Sequence, residues 1–123
     1  MTEIVDLYSQ FIGEQEISLL EINAEETPVK RLILWYGHFS EILSRIPANS
    51  QGYYEGVAFE YQKHSGWIDH EEWRCTDVAS FLDQLRHIDP ESIHVGTRPP
   101  LTEMINVAQK CMEFNHALIF KYE

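Results

Sequence analysis

The apolar positions of this chain recur with two different periods, and the switches between them mark out the elements. Ile4, Leu7, Tyr8, Phe11 and Ile12 return at helical spacing between Thr2, an N-cap residue, and Gly13, a stop. They predict a helix over 3–12. The run Glu-Ile-Ser-Leu-Leu-Glu-Ile (16–22) is short, apolar and partly alternating, and predicts a strand. Thr27 then Pro28 reads as a cap followed by proline at the first helical position. Behind it Val29, Leu32, Ile33, Tyr36, Phe39, Ile42, Leu43 and Ile46 form a broad apolar face up to Pro47. This predicts a long helix over 28–46 as the principal core element, with a strand over 31–36 as the competing reading. Gly37 inside that helix costs about 1 kcal/mol against alanine, which points to a close packing contact there.

After the polar loop 48–52, Val57, Phe59 and Tyr61 alternate with polar or small neighbours and predict a half-buried strand. Lys63–Gly66 is a hairpin loop in this reading, and 67–75 is the return strand. Trp67, Asp69, Glu71, Trp73 and Cys75 share one parity of that strand, and Ile68, His70, Glu72 and Arg74 the other, so neither face is cleanly apolar. Thr76 or Asp77 caps a helix over 78–88 that turns Val78, Phe81, Leu82 and Leu85 inward and is broken by Asp89-Pro90. Ser92–Val95 reads as a short strand and Arg98-Pro99-Pro100 as a rigid turn. Thr102–Asn115 reads as a helix burying Ile105, Ala108 and Met112, and Ala117–Tyr122 as a closing strand, the last three elements suiting a right-handed parallel crossover. The expected fold is a single α+β domain over 1–123. It has a mixed sheet of four or five strands and about four helices packed mainly on one face.

Charge narrows the function classes. The 123 residues carry a net charge of -11. That argues against nucleic acid and against anionic membranes as partners, since both are bound through clustered Lys and Arg. The charge is also unevenly placed. Residues 1–29 hold seven acids and no base, and residues 52–77 hold six acids and two bases. Everywhere else acids and bases balance. Within the second acidic segment lie Tyr53, Tyr54, Trp67 and Trp73, and Trp and Tyr are favoured anchors of protein interfaces. The first basic residue is Lys30 and the longest apolar run, Leu32 to Tyr36, has five residues, so the sequence predicts neither a secretory signal nor a membrane span. Cys75 and Cys111 are accordingly expected as free thiols in a reducing cytoplasm.

Catalytic motifs are missing. The chain has no glycine-rich phosphate loop, no H-E-x-x-H, no C-x-x-C and no EF-hand loop. His64, His70 and Cys75 have loose spacing for a metal. Cys111 with His116 reads as a structural thiol beside a histidine rather than a nucleophile pair. Asp69, Glu71 and Glu72 read as a solvated face, and His38 as a surface or satisfied histidine. No catalytic residue, metal or cofactor is expected.

An acidic domain of this size, with Gly-Tyr-Tyr-Glu-Gly (52–56) and Gly-Trp-Ile-Asp-His-Glu-Glu-Trp (66–73) in its charged segment, resembles a bacterial immunity protein of the polymorphic-toxin or contact-dependent growth-inhibition kind. The resemblance implies a monomeric inhibitor without enzymatic activity, bound 1:1 to a cognate toxin. That toxin would be a nuclease with a basic surface. The expected binding residues are Tyr53, Tyr54, Glu55, Trp67, Asp69, Glu71, Glu72, Trp73 and Asp77. Two other readings are an acidic, homodimeric chaperone for a secreted effector, and a small hydrolase with a His/carboxylate site in a cleft.

Overall fold

A computed structural model describes residues 2–48, 50–54, 56–63 and 72–122. Its centre is a five-stranded mixed sheet in the order β1-β3-β2-β5-β4. The strands are β1 (Glu3–Leu7), β2 (Glu16–Ile22), β3 (Pro28–Trp35), β4 (Glu72–Arg74) and β5 (Ala117–Tyr122). β1 runs parallel to β3, and every other pairing is antiparallel. Register explains which residues meet. Leu19 lies opposite Leu32 on one side and Phe120 on the other, and Ile17 opposite Leu34 and Tyr122. Side chains alternate across a strand, so these residues share one face.

Four helices bury that face: α1 (Tyr36–Ser44), α2 (Gly56–Lys63), α3 (Val78–Arg86) and α4 (Arg98–Phe114). Ile17, Leu19, Leu32, Leu34, Leu118 and Phe120 join Phe39, Val57, Phe81 and Met104 in one buried cluster. The expected α+β domain, with its helices mainly on one face, is what forms. On the opposite face Ile22 and Ile119 are buried outside that cluster. Among the described residues no helix is long and apolar enough to cross a membrane.

Several elements differ from the sequence expectation. The helix predicted over 28–46 is β3 followed by α1, and the chain turns at Trp35, which is extended with ψ 131°. Apolar residues of both parities (Val29, Leu32, Ile33, Leu34) satisfy a helical face and equally a strand flanked on both sides. Hydrogen bonding to both β1 and β2 decides for the strand, close to the competing reading. The helix predicted over 3–12 is β1 plus a 3-10 turn at Ser9–Phe11, because residues 3–7 gain a parallel ladder with β3. The strand predicted over 57–62 is α2, where adjacent Val57 and Ala58 are both buried, as a helix allows and a strand with one buried face does not. The predicted hairpin loop beyond Lys63 and residues 67–71 of the predicted return strand lie outside the described residues, and Glu72–Arg74 form β4.

The helix predicted over 78–88 is α3, with Asp77 as its cap: the carboxylate accepts from the Ser80 N–H at 3.0 Å. Ser92–Val95 is no strand but a link between 3-10 turns at Pro90–Ser92 and Val95–Thr97. With no strand there, and with β5 antiparallel to both neighbours, the parallel crossover does not form. Arg98-Pro99-Pro100 opens α4 instead of preceding it, since proline lacks only an N–H that the first turn leaves unbonded. α4 consequently buries Leu101, Met104, Val107, Ala108 and Cys111, while Met112 faces solvent. Asn115 ends it in the left-handed conformation, φ 55°.

Candidate functional site

Of the residues singled out for partner binding, the structure describes Tyr53, Tyr54, Glu72, Trp73 and Asp77. Tyr53 and Tyr54 are 68% and 40% exposed, in the segment leading into α2. A Cβ at Gly56 would stand 3.6 Å from Ser80 Oγ, so this segment approaches the first turn of α3, where Asp77 is exposed. Glu72 is exposed on β4. Trp73 turns the other way, toward the core, with its ring 5.6 Å from that of Phe120. Glu55, Trp67, Asp69 and Glu71 lie outside the described residues, as do His64 and His70. Among the described residues no group of three His, Cys, Asp or Glu side chains could hold a metal ion.

A second site lies by β1 and β3. β1 and β3 run side by side and end together, Leu7 opposite Leu34. Beyond their carboxyl ends opens a cavity of about 680 Å³, closed by the 3-10 turn after β1, the first turns of α1 and the segment 94–100. One wall is aromatic. Phe11 stacks on Trp35 at 4.6 Å and 4°, and the His38 ring stands edge-on to both, at 5.1 and 4.9 Å. Gly37 is required here, because a Cβ would fall 2.5 Å from the Trp35 ring. That is the close contact its place in an apolar segment suggested.

The facing wall is tied together by Glu41. Its carboxylate accepts from the His94 backbone N–H at 2.9 Å and from Thr97 Oγ1 at 2.6 Å. The Thr97 hydroxyl above all, then the His94 amide, holds this carboxyl below the usual range, so it is ionised at neutral pH. The Gly96 N–H donates to His94 Nδ1 at 3.0 Å, which places the proton of a neutral His94 ring on Nε2. His38 is neither a surface nor a satisfied histidine. It is half-buried, and among the described residues its Nδ1 is enclosed without a hydrogen-bond partner. Burial lowers its pKa, the Glu41 charge opposes that, and His94 adds to the lowering. In a proton NMR titration His38 should therefore show a midpoint below the ordinary value of about 6.5. Stability linked to this ring is complete above that value and is lost as the pH falls through the lowered one. A midpoint at or above the ordinary value would mean that burial does not govern the ring.

Both Glu41 oxygens hold the 94–97 segment, and among the described contacts neither meets the imidazole N–H of His38 or His94, so the cavity wall shows no His–carboxylate pair. Cys111 and His116 do not pair either. His116 Nδ1 lies 2.6 Å from Glu21 Oε2. Burial above all pushes the Cys111 thiol up to about 12 and that of Cys75 to about 11, which leaves both inert as nucleophiles. Sequence reasoning missed this cavity because its walls come from segments around residues 6–11, 35–41 and 94–100. One signal was readable: His38 and Glu41, three apart, share a helix face. The chain matches no family model, no curated protein and no solved structure.

Proposed function

We propose that this protein is a cytoplasmic immunity protein that binds and neutralises a cognate toxin domain, a nuclease, by covering a basic site, without turnover or cofactor. The observation that carries the reading is the exposure of Tyr53 and Tyr54, in a segment that approaches the first turn of α3 and its exposed cap Asp77, in a chain with net charge -11. Opposed charge would steer encounter, and desolvated tyrosines would slow dissociation. Trp73 enters this reading as support beneath the surface rather than as the anchor.

The test begins with the open reading frame beside this one. Its C-terminal domain should be toxic alone, harmless when this protein is co-expressed, and recovered with it as a 1:1 complex. Asp69→Lys with Glu71→Lys and Glu72→Lys should then slow association by about 10–100-fold at low salt and flatten its salt dependence. An unchanged rate and salt slope would remove this surface from the interface. A tight homodimer on a calibrated column would favour the chaperone reading. The hydrolase reading has His38 in its favour, a histidine with lowered pKa in a cavity, but lacks a carboxylate bonded to that ring.

A further inference from the structure

We propose that the cavity beyond the ends of β1 and β3 binds a small organic cation with an aromatic or otherwise apolar body, a ligand separate from any protein partner. Size comes first: about 680 Å³ is the volume of a site for a small molecule rather than a packing defect. Charge then fixes the sign of the ligand. The described residues lining the cavity include the carboxylates of Asp6 and Glu41 and no Lys or Arg. Glu41 is ionised and fixed by two hydrogen bonds, and although Arg45 lies near enough to favour its charged form, it is the Glu41 carboxylate and not Arg45 that lines the cavity. Asp6 is exposed at the rim and oriented by the Tyr8 N–H, 2.8 Å from its Oδ1.

The aromatic wall adds attraction of the same sign. Ring faces draw cations, and Phe11 and Trp35 both border the space. They are held rigidly, Trp35 between Gly37 and the Phe11 ring, so little conformational freedom is lost when a ligand arrives. An anion would meet two carboxylates and no cationic side chain among the described lining residues. Tyr53, Tyr54, Glu72 and Asp77 are not among the residues that line this cavity. The proposal therefore stands apart from the toxin-binding reading.

Three probes of similar size separate the possibilities: phenyltrimethylammonium, its neutral isostere tert-butylbenzene, and benzoate. Each is titrated into the full chain while the imidazole C–H resonances of His38 and His94 are followed by NMR. The cation should shift both resonances saturably, bind about tenfold more tightly than the isostere, and outcompete benzoate completely. Phe11→Leu keeps apolar bulk and removes the ring face, so it should weaken the cation and leave the isostere unchanged. Asp6→Asn, at an exposed position, should also weaken the cation and serves if the Phe11 variant folds poorly. Equal binding of the isostere, saturable binding of benzoate, no saturable shift with the cation, or variants that bind it as the parent does would each overturn the proposal.

Discussion

Truncating Phe120 to alanine should remove about 3–5 kcal/mol of folding stability, which unfolds a substantial fraction of a marginally stable domain. Phe120 lies on β5 with almost no exposure, and among the described residues its ring meets three others. Phe81 of α3 stands at 5.5 Å, Trp73 of β4 at 5.6 Å and Phe39 of α1 at 5.9 Å. These partners come from two helices and the edge strand, so an alanine leaves a cavity that no single element can close by shifting. Its own strand also faces Leu19 across the ladder to β2. Urea denaturation measures the effect, with Ile4→Ala, at a residue 62% exposed, as the control expected within about 0.5 kcal/mol of the parent. A loss below about 1 kcal/mol at Phe120 would mean that the aromatic cluster is not the centre of the core.

His116→Leu should be the next most damaging change, at about 3 kcal/mol. Glu21 is buried to 5% exposure inside β2, and His116, just past the end of α4, supplies its close polar contact at 2.6 Å. Removing the imidazole leaves a buried carboxyl without that partner, whereas removing the carboxyl leaves a ring that is 20% exposed and can meet water. Glu21→Leu should therefore cost clearly less than His116→Leu. The double variant Glu21→Leu with His116→Leu should recover most of the loss, because an apolar pair of similar size replaces a desolvated polar one. The coupling from the full cycle is the decisive quantity. Additive single effects would show that the contact contributes nothing beyond packing.

The parts of the fold that were legible in the sequence are runs whose length and pattern suit one element. β2 and β5 are short apolar runs, α3 is a capped run with one apolar face, and each forms where its residues predict. β3 was legible as a strand only in the competing reading over 31–36, since it lies between β1 and β2 and its continuous apolar run fits two periods at once. β1 depends on that same neighbour, because its parallel ladder with β3 lies outside any local window. The α2 segment misled by chance alternation, Phe59 being 45% exposed while Val57 and Ala58 are buried. The cavity was least legible. Glu41, His94 and Thr97 acquire their roles through hydrogen bonds spanning more than fifty positions, and spacing carries no trace of such contacts.

The place of β5 in the sheet has a consequence for how the protein is made. It is the latest strand in the sequence, yet it lies between β2 and β4 and carries the ladders of both. During vectorial synthesis β2 and β3 can pair as a hairpin soon after they leave the ribosome, and β1 can join them. β4 then has no strand to dock on, and the far edge of β2 stays open until β5 emerges. The nascent chain thus carries an unpaired strand edge from the emergence of β2 until that of β5, a state prone to intermolecular pairing. The helices made in that interval, α1 to α4, become the natural temporary cover for the apolar face of the unfinished sheet.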